Sequence, residues 1–102
     1  MTRVFWTPQA LEDVEAIRDY IARDSAKAAE HTVLRIVQLA DAIQDFPLAG
    51  RVVPEIGIDE LRERLLGNYR VVYRLREDTA QILTVHHAAR RFELPDEPRP
   101  DV

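Results

Sequence analysis

The chain has no cysteine, one serine, one lysine and three glycines among its 102 residues. Without cysteine there are no disulfides and no thiolate chemistry, and a reducing cytoplasm is the natural home of such a protein. The lone Ser25 sits at a predicted helix cap, which argues against a serine nucleophile. Gly50, Gly57 and Gly67 are too scattered to form a phosphate-cradling loop. No apolar run approaches the roughly 20 residues that span a bilayer, so no membrane contact is expected. The opening residues 1–6 are too short and too soon polar for a signal peptide.

What is present is an ordinary globular balance of 46% hydrophobic and 31% charged residues, enough for one domain with a modest core. The net charge of −4 argues against bulk nucleic-acid binding, and no direct sequence-specific contact with nucleic acid is expected. The charge is unevenly placed. Residues 7–46 hold eight acids and four bases, whereas residues 51–91 hold eight arginines and six acids.

Residues 3–6 read as a short strand. Thr7-Pro8 then supplies an N-cap and a proline at the first helical position, where its missing N–H costs nothing. Leu11, Val14, Ile17 and Ile21 recur at helical spacing, giving a helix over residues 8–23, with Glu12 and Asp13 suited to the dipole at its start. After the break at Asp24-Ser25, Ala29, Val33, Ile36, Val37, Ala40 and Ile43 form one face of a second helix that Pro47 closes. So short a connection predicts an antiparallel helix hairpin. Residues 47–59 read as a loop, followed by strands at about 60–66, 69–76 and 81–88. The expected fold is α+β, in the order β-α-α-β-β-β, with the hairpin packed on a small antiparallel sheet. The domain is expected to occupy residues 1–91, with residues 92–102 as an acidic, proline-rich tail.

The strand Tyr69-Arg70-Val71-Val72-Tyr73-Arg74-Leu75-Arg76 carries the strongest pattern. Period two sends Tyr69, Val71, Tyr73 and Leu75 to a core and Arg70, Arg74 and Arg76 to the other face. Pairing with the preceding strand depends on the turn. A two-residue Gly67-Asn68 turn sets Leu65 against Arg70, whereas a three-residue turn sets Leu65 against Tyr69 and Leu61 against Tyr73. The second gives the more consistent apolar face and is the expected register. It leaves Glu63 facing Val71. It also gathers Arg62, Arg64, Arg70, Arg74 and Arg76 on one face, where the guanidinium forks suit an anionic partner.

Adjacent His86 and His87 point to opposite faces of a strand, so they do not converge on a metal, and no cysteine or paired carboxylate completes a zinc set. One imidazole is expected inside and the other at the sheet surface. Trp6 reads as a core or interface anchor where the first strand meets the first helix. With no self-contained active site, metal site or cofactor motif, the sequence favours a protein that acts by binding.

Phe5-Trp6-Thr7-Pro8-Gln9-Ala10, with Asp13, Ile17 and Tyr20-Ile21-Ala22, resembles the opening of the RelE/ParE toxin superfamily. Pro47-x-x-Gly50-Arg51, Val53-Pro54-Glu55, Leu61-Arg62-Glu63, Tyr69-Arg70-Val71-Val72-Tyr73-Arg74 and Val85-x-His87-x-x-Arg90 follow in that family's order. The resemblance spans about residues 4–91. It implies a helix hairpin on a sheet and a toxin of a bacterial type II toxin–antitoxin pair, neutralised by a small antitoxin. ParE-like members poison DNA gyrase by binding, whereas RelE-like members cut mRNA in the ribosome. The RelE-like basic loop has no lysine counterparts in residues 51–59, and no tyrosine follows Arg90, so the ParE-like branch is the closer match. The resemblance implies a ParD-like antitoxin that contributes an amphipathic helix and an acidic segment. The arginine face of Arg62, Arg64, Arg70, Arg74 and Arg76, with Trp6 as an interface anchor, is expected to contact antitoxin or target, and Arg90 matches the family's arginine at the end of the last strand. On a nuclease reading, His87 and Arg90 are the candidate catalytic pair.

Overall fold

The computed structural model describes residues 2–94. It begins with strand β1 (Arg3–Trp6), followed by helix α1 (Pro8–Ala22) and helix α2 (Ala26–Asp45). Four strands complete it: β2 (Arg51–Val52), β3 (Leu61–Leu66), β4 (Tyr69–Arg76) and β5 (Thr79–His87). The caps act as their residue types require. Thr7 Oγ1 accepts the Ala10 N–H and Ser25 Oγ accepts the Ala28 N–H, so each helix start has an orphan donor satisfied.

The sheet order is β1-β5-β4-β3-β2, which makes β1 and β2 the edges. The expected α+β architecture stands, with two differences. β1 pairs parallel to β5, so the sheet is mixed, and the expected loop contains β2, antiparallel to β3. The first helix stripe also shifts. Ala10 is its buried residue, Leu11 is 54% exposed, and Val14 and Ile17 pack against the core from the side.

The expected register is corrected. β3 and β4 join through the two-residue Gly67-Asn68 turn, with Leu66 opposite Tyr69, Leu65 opposite Arg70 and Arg64 opposite Val71. Gly67 takes φ +57°, a left-handed conformation that glycine adopts without strain. The expectation failed because it assumed one apolar face, and this sheet buries both. On the helix side, Ala10, Ile36, Ala40 and Ile43 pack against Val71, Tyr73, Ala80, Ile82 and Val85. The opposite side has its own cluster of Val53, Leu61, Val72 and Phe92, with Ile56 and Leu83 packed against it. Arg62 and Arg64 therefore share a face with Tyr73 and Val71, while Arg70 and Arg74 lie on the other. The five arginines do not form one patch.

Phe92 is 3% exposed within the second cluster, so the folded chain continues past residue 91. The remainder of the expected tail, residues 95–102, lies outside the described residues.

Candidate functional site

The second face is organised by two carboxylates set among apolar residues. Glu63 lies between Leu61 and Leu65 on β3, and its side chain is fully buried. Its Oε1 accepts Arg70 Nε at 2.7 Å and its Oε2 accepts Arg51 Nε at 2.5 Å. Arg70 also donates both terminal nitrogens to Glu55, at 2.6 and 2.8 Å, in the bidentate geometry that suits guanidinium to carboxylate. Hydrogen bonding to Arg70, and then to the Phe92 N–H, holds the Glu55 carboxyl well below the usual carboxylate range. The same pairing, led by Glu55, raises Arg70 above its ordinary value. Arg70 Nη1 further donates to the Arg90 carbonyl at 3.2 Å, and the Phe92 N–H donates to Glu55 at 2.9 Å. One arginine thus ties β3, β4, the loop at Glu55 and the chain after β5 together.

The other candidate arginines scatter. Arg62 is held by the carbonyls of Asp59 and Gly50, at 2.9 and 3.1 Å. Arg64 is partly buried on the helix side of β3, Arg74 is partly buried opposite Leu61, and Arg76 is exposed at the end of β4. Trp6 is partly buried against the helix-side core, as an anchor residue should be.

The two histidines divide as expected. His86 is 7% exposed and faces the second cluster, whereas His87 is exposed. His87 Nδ1 accepts the Ala89 N–H at 3.1 Å, and its ring meets Tyr69 edge-on. Burial, then the charges of Arg70 and Arg90, push His86 below the ordinary imidazole value.

Two clefts adjoin this corner. One of about 720 Å³ is lined by Asp13, Thr84, His86, Arg90 and Phe92, among others. Another of about 370 Å³ runs between α1 and the end of β5, with Tyr20, Tyr69, His87 and Arg90 in its wall. β1 stops opposite Ile82, so the rest of β5 has no strand neighbour on that edge. Asp13 covers part of the gap, its Oδ2 accepting the Val85 N–H at 3.0 Å and the Thr84 hydroxyl at 2.5 Å. Its role is at the sheet edge rather than at the helix dipole.

Tyr73 explains the Pro47-x-x-Gly50 spacing. Its hydroxyl donates to the Pro47 carbonyl at 2.7 Å and accepts the Gly50 N–H at 3.2 Å. A Cβ on Gly50 would stand 2.4 Å from that hydroxyl, so only glycine fits. Sequence reasoning missed the roles of Glu55, Glu63, Asp13 and Phe92. The misfit of Glu63 on an apolar face was the available signal, since a carboxylate is rarely buried without a cation. Among the described residues no cluster of three metal-ligating side chains exists, and no helix is long and apolar enough to cross a membrane.

A capped helix hairpin over a mixed five-stranded sheet is the fold of toxins from toxin–antitoxin pairs. The solved ParDE system of P. aeruginosa superposes with a TM-score of 0.71 at 24% identity, covering 85% of this chain and 96% of that one. The RelBE2 toxin–antitoxin complex of Mycobacterium tuberculosis gives 0.62 at 22% identity, over 84% and 96%. The family model for the ParE toxin of type II toxin–antitoxin systems matches residues 4–92, and the chain belongs to that family. It is 36% identical over 91 residues to Toxin RelE2 of Caulobacter vibrioides, covering 88% of this chain and 99% of that toxin. It is also 36% identical over 92 residues to the putative toxin Y4kP of Sinorhizobium fredii, covering 88% and 92%.

Proposed function

We propose that this toxin acts in the cytoplasm by binding DNA gyrase and is neutralised by a ParD-like antitoxin. One observation carries the choice of target. Two arginines of the sheet are taken up by carboxylates: Arg70, on the middle strand β4, by Glu55 and Glu63, and Arg51, on the edge strand β2, by Glu63. A nuclease working in the ribosome must approach dense phosphate with uncompensated cations, and a chain of net charge −4 is poorly equipped for that. Membership of the ParE family points the same way.

The antitoxin would lay an amphipathic helix on the exposed apolar side chains of the helix hairpin and bring an acidic segment to the outward arginines. Arg76 and Arg90, the exposed arginines of the set, are the contacts proposed for that segment, and Trp6, partly buried on β1, is a further proposed contact. Arg70 is better assigned to the fold, since it is 5% exposed.

The test is a supercoiling reaction with purified gyrase, DNA and antitoxin-free toxin. The expected result is lost supercoiling or gyrase-dependent double-strand breaks, relieved by antitoxin. The second reading is ribosome-dependent mRNA cleavage, favoured by the wall that His87, Arg90 and Tyr69 share in the smaller cleft. Unaffected gyrase together with mRNA cleavage in a translation extract, abolished by His87→Ala, would overturn the first reading in favour of the second.

A further inference from the structure

Residues 88–94 leave the sheet with no regular structure, and Phe92 is their one buried side chain. Its ring fills the second cluster beside Val53, Leu61 and Val72. It also stacks on His86, with ring centroids 6.2 Å apart and planes 9° from parallel. Hydrogen bonds tie the segment down at three points, from the Ala88 N–H to the Asn68 carbonyl, from the Phe92 N–H to Glu55 and from Arg70 to the Arg90 carbonyl.

We propose that residues 88–94 form a strap latched over the second face of the sheet by Phe92 on His86, and that protonation of His86 releases it. The geometry leaves a second proton on this ring nowhere to go. Nδ1 has Thr84 Oγ1 at 3.5 Å, while Nε2 is buried and has no hydrogen-bond partner among the described residues. Charged groups approach the ring from several elements. β4 brings Arg70 directly opposite, α1 brings Asp13, and the loop brings Glu55. Arg90, Arg91 and Glu93 of the strap line the same cleft as His86. The carboxylates have other work: Glu55 is bound to Arg70, and Asp13 to Thr84 and the Val85 N–H. An imidazolium would therefore be a buried cation beside Arg70 and Arg90, with an N–H lacking an acceptor.

Burial and the two arginines already hold His86 below the ordinary imidazole value while the strap is closed. The closed strap is thus favoured fully above about pH 6.5, the value of an open, solvated ring. As pH falls below that, the open form binds the proton more readily, and opening rises by at most about tenfold per pH unit. Glu55, held far lower, keeps its charge through this window, so its pairing with Arg70 survives. Lifting the strap uncovers an apolar site of Val53, Leu61 and Val72 next to the Arg70 guanidinium.

The test is amide hydrogen exchange by NMR on the full chain between pH 7.5 and 5, corrected for intrinsic chemical exchange. Phe92, whose N–H is bonded to Glu55, reports the strap, and the β4 amides report the sheet. The expected result is that Phe92 protection falls by up to about tenfold per pH unit below about 6.5 while β4 protection holds. In His86→Phe, which keeps the aromatic stack without a titratable nitrogen, Phe92 protection should not change with pH. His86→Gln serves the same purpose if His86→Phe does not fold. Flat Phe92 protection in the parent chain overturns the proposal, as does an equal fall in a folded His86 variant.

Discussion

Glu63 and Arg70 form the costliest arrangement in the chain and the most informative one. Both side chains are withdrawn from water, and their mutual attraction offsets desolvation only because Arg51 and Glu55 complete the hydrogen bonding. Removing one partner strands the others. Glu63→Ala should lower unfolding stability by about 3–5 kcal/mol, read from urea titration of parent and variant. Gly50 makes a prediction of another kind. Gly50→Ala places a methyl group against the Tyr73 hydroxyl and the Glu63 carbonyl, both at under 3 Å. Overpacking of this sort should cost about 1–3 kcal/mol in the same titration. Glu55 adds a pH dependence whose sign follows from its lowered value. A carboxyl more acidic in the folded chain than in the unfolded one contributes stability above about pH 4.3, and that contribution disappears as pH falls through the folded value. Glu55→Gln should therefore be less stable than the parent at pH 7 and lose less stability on acidification, as followed by circular dichroism.

At the scale of elements, the sheet is covered by two unlike layers. The hairpin of α1 and α2 covers one side with four buried residues, Ala10, Ile36, Ala40 and Ile43, from two capped helices. A loop and a strap cover the other, with Phe92 as the strap's one buried side chain. Such a layer has few contacts to lose, so it should open below the global unfolding threshold. Phe92→Ala should cost about 3 kcal/mol in the urea titration and expose the segment after β5 to limited proteolysis, while far-UV dichroism keeps its helix signal. The uncovered half of β5 shows a third kind of covering, in which the Asp13 carboxylate takes an edge N–H that no strand reaches.

At the scale of the molecule, Arg51 and Arg70 are answered by carboxylates from within the fold. The hairpin also leaves apolar surface outward. Leu34 is 53% exposed and Val37 40% exposed, both on α2. If an antitoxin helix lies there, Leu34→Asp should weaken the complex at least about tenfold by titration calorimetry, equivalent to about 1.4 kcal/mol. Its unfolding midpoint should hardly move, since exposed substitutions fall within about 0.5 kcal/mol. Unchanged affinity would place the antitoxin elsewhere.

Local patterns determined the elements. Thr7-Pro8 and Ser25 set the helix starts, the period of 3.6 set the inward stripe of α2 except at Val37, which faces outward, and the period of two marked β4, because each depends on neighbours within a turn or two. The opposite placement of His86 and His87 was legible for the same reason. Tertiary structure decided which residues share a face. The Gly67-Asn68 turn admits two registers, and only the second buried cluster selects between them, by giving Leu61, Val72 and Phe92 a common side. That choice turned Arg70 from an expected surface contact into a buried partner of Glu55 and Glu63. Arg70 reaches Glu55 across 15 positions of sequence and the Arg90 carbonyl across 20. No local pattern encodes pairings at that separation, because they exist only once the loop, both strands and the strap have closed around the same point.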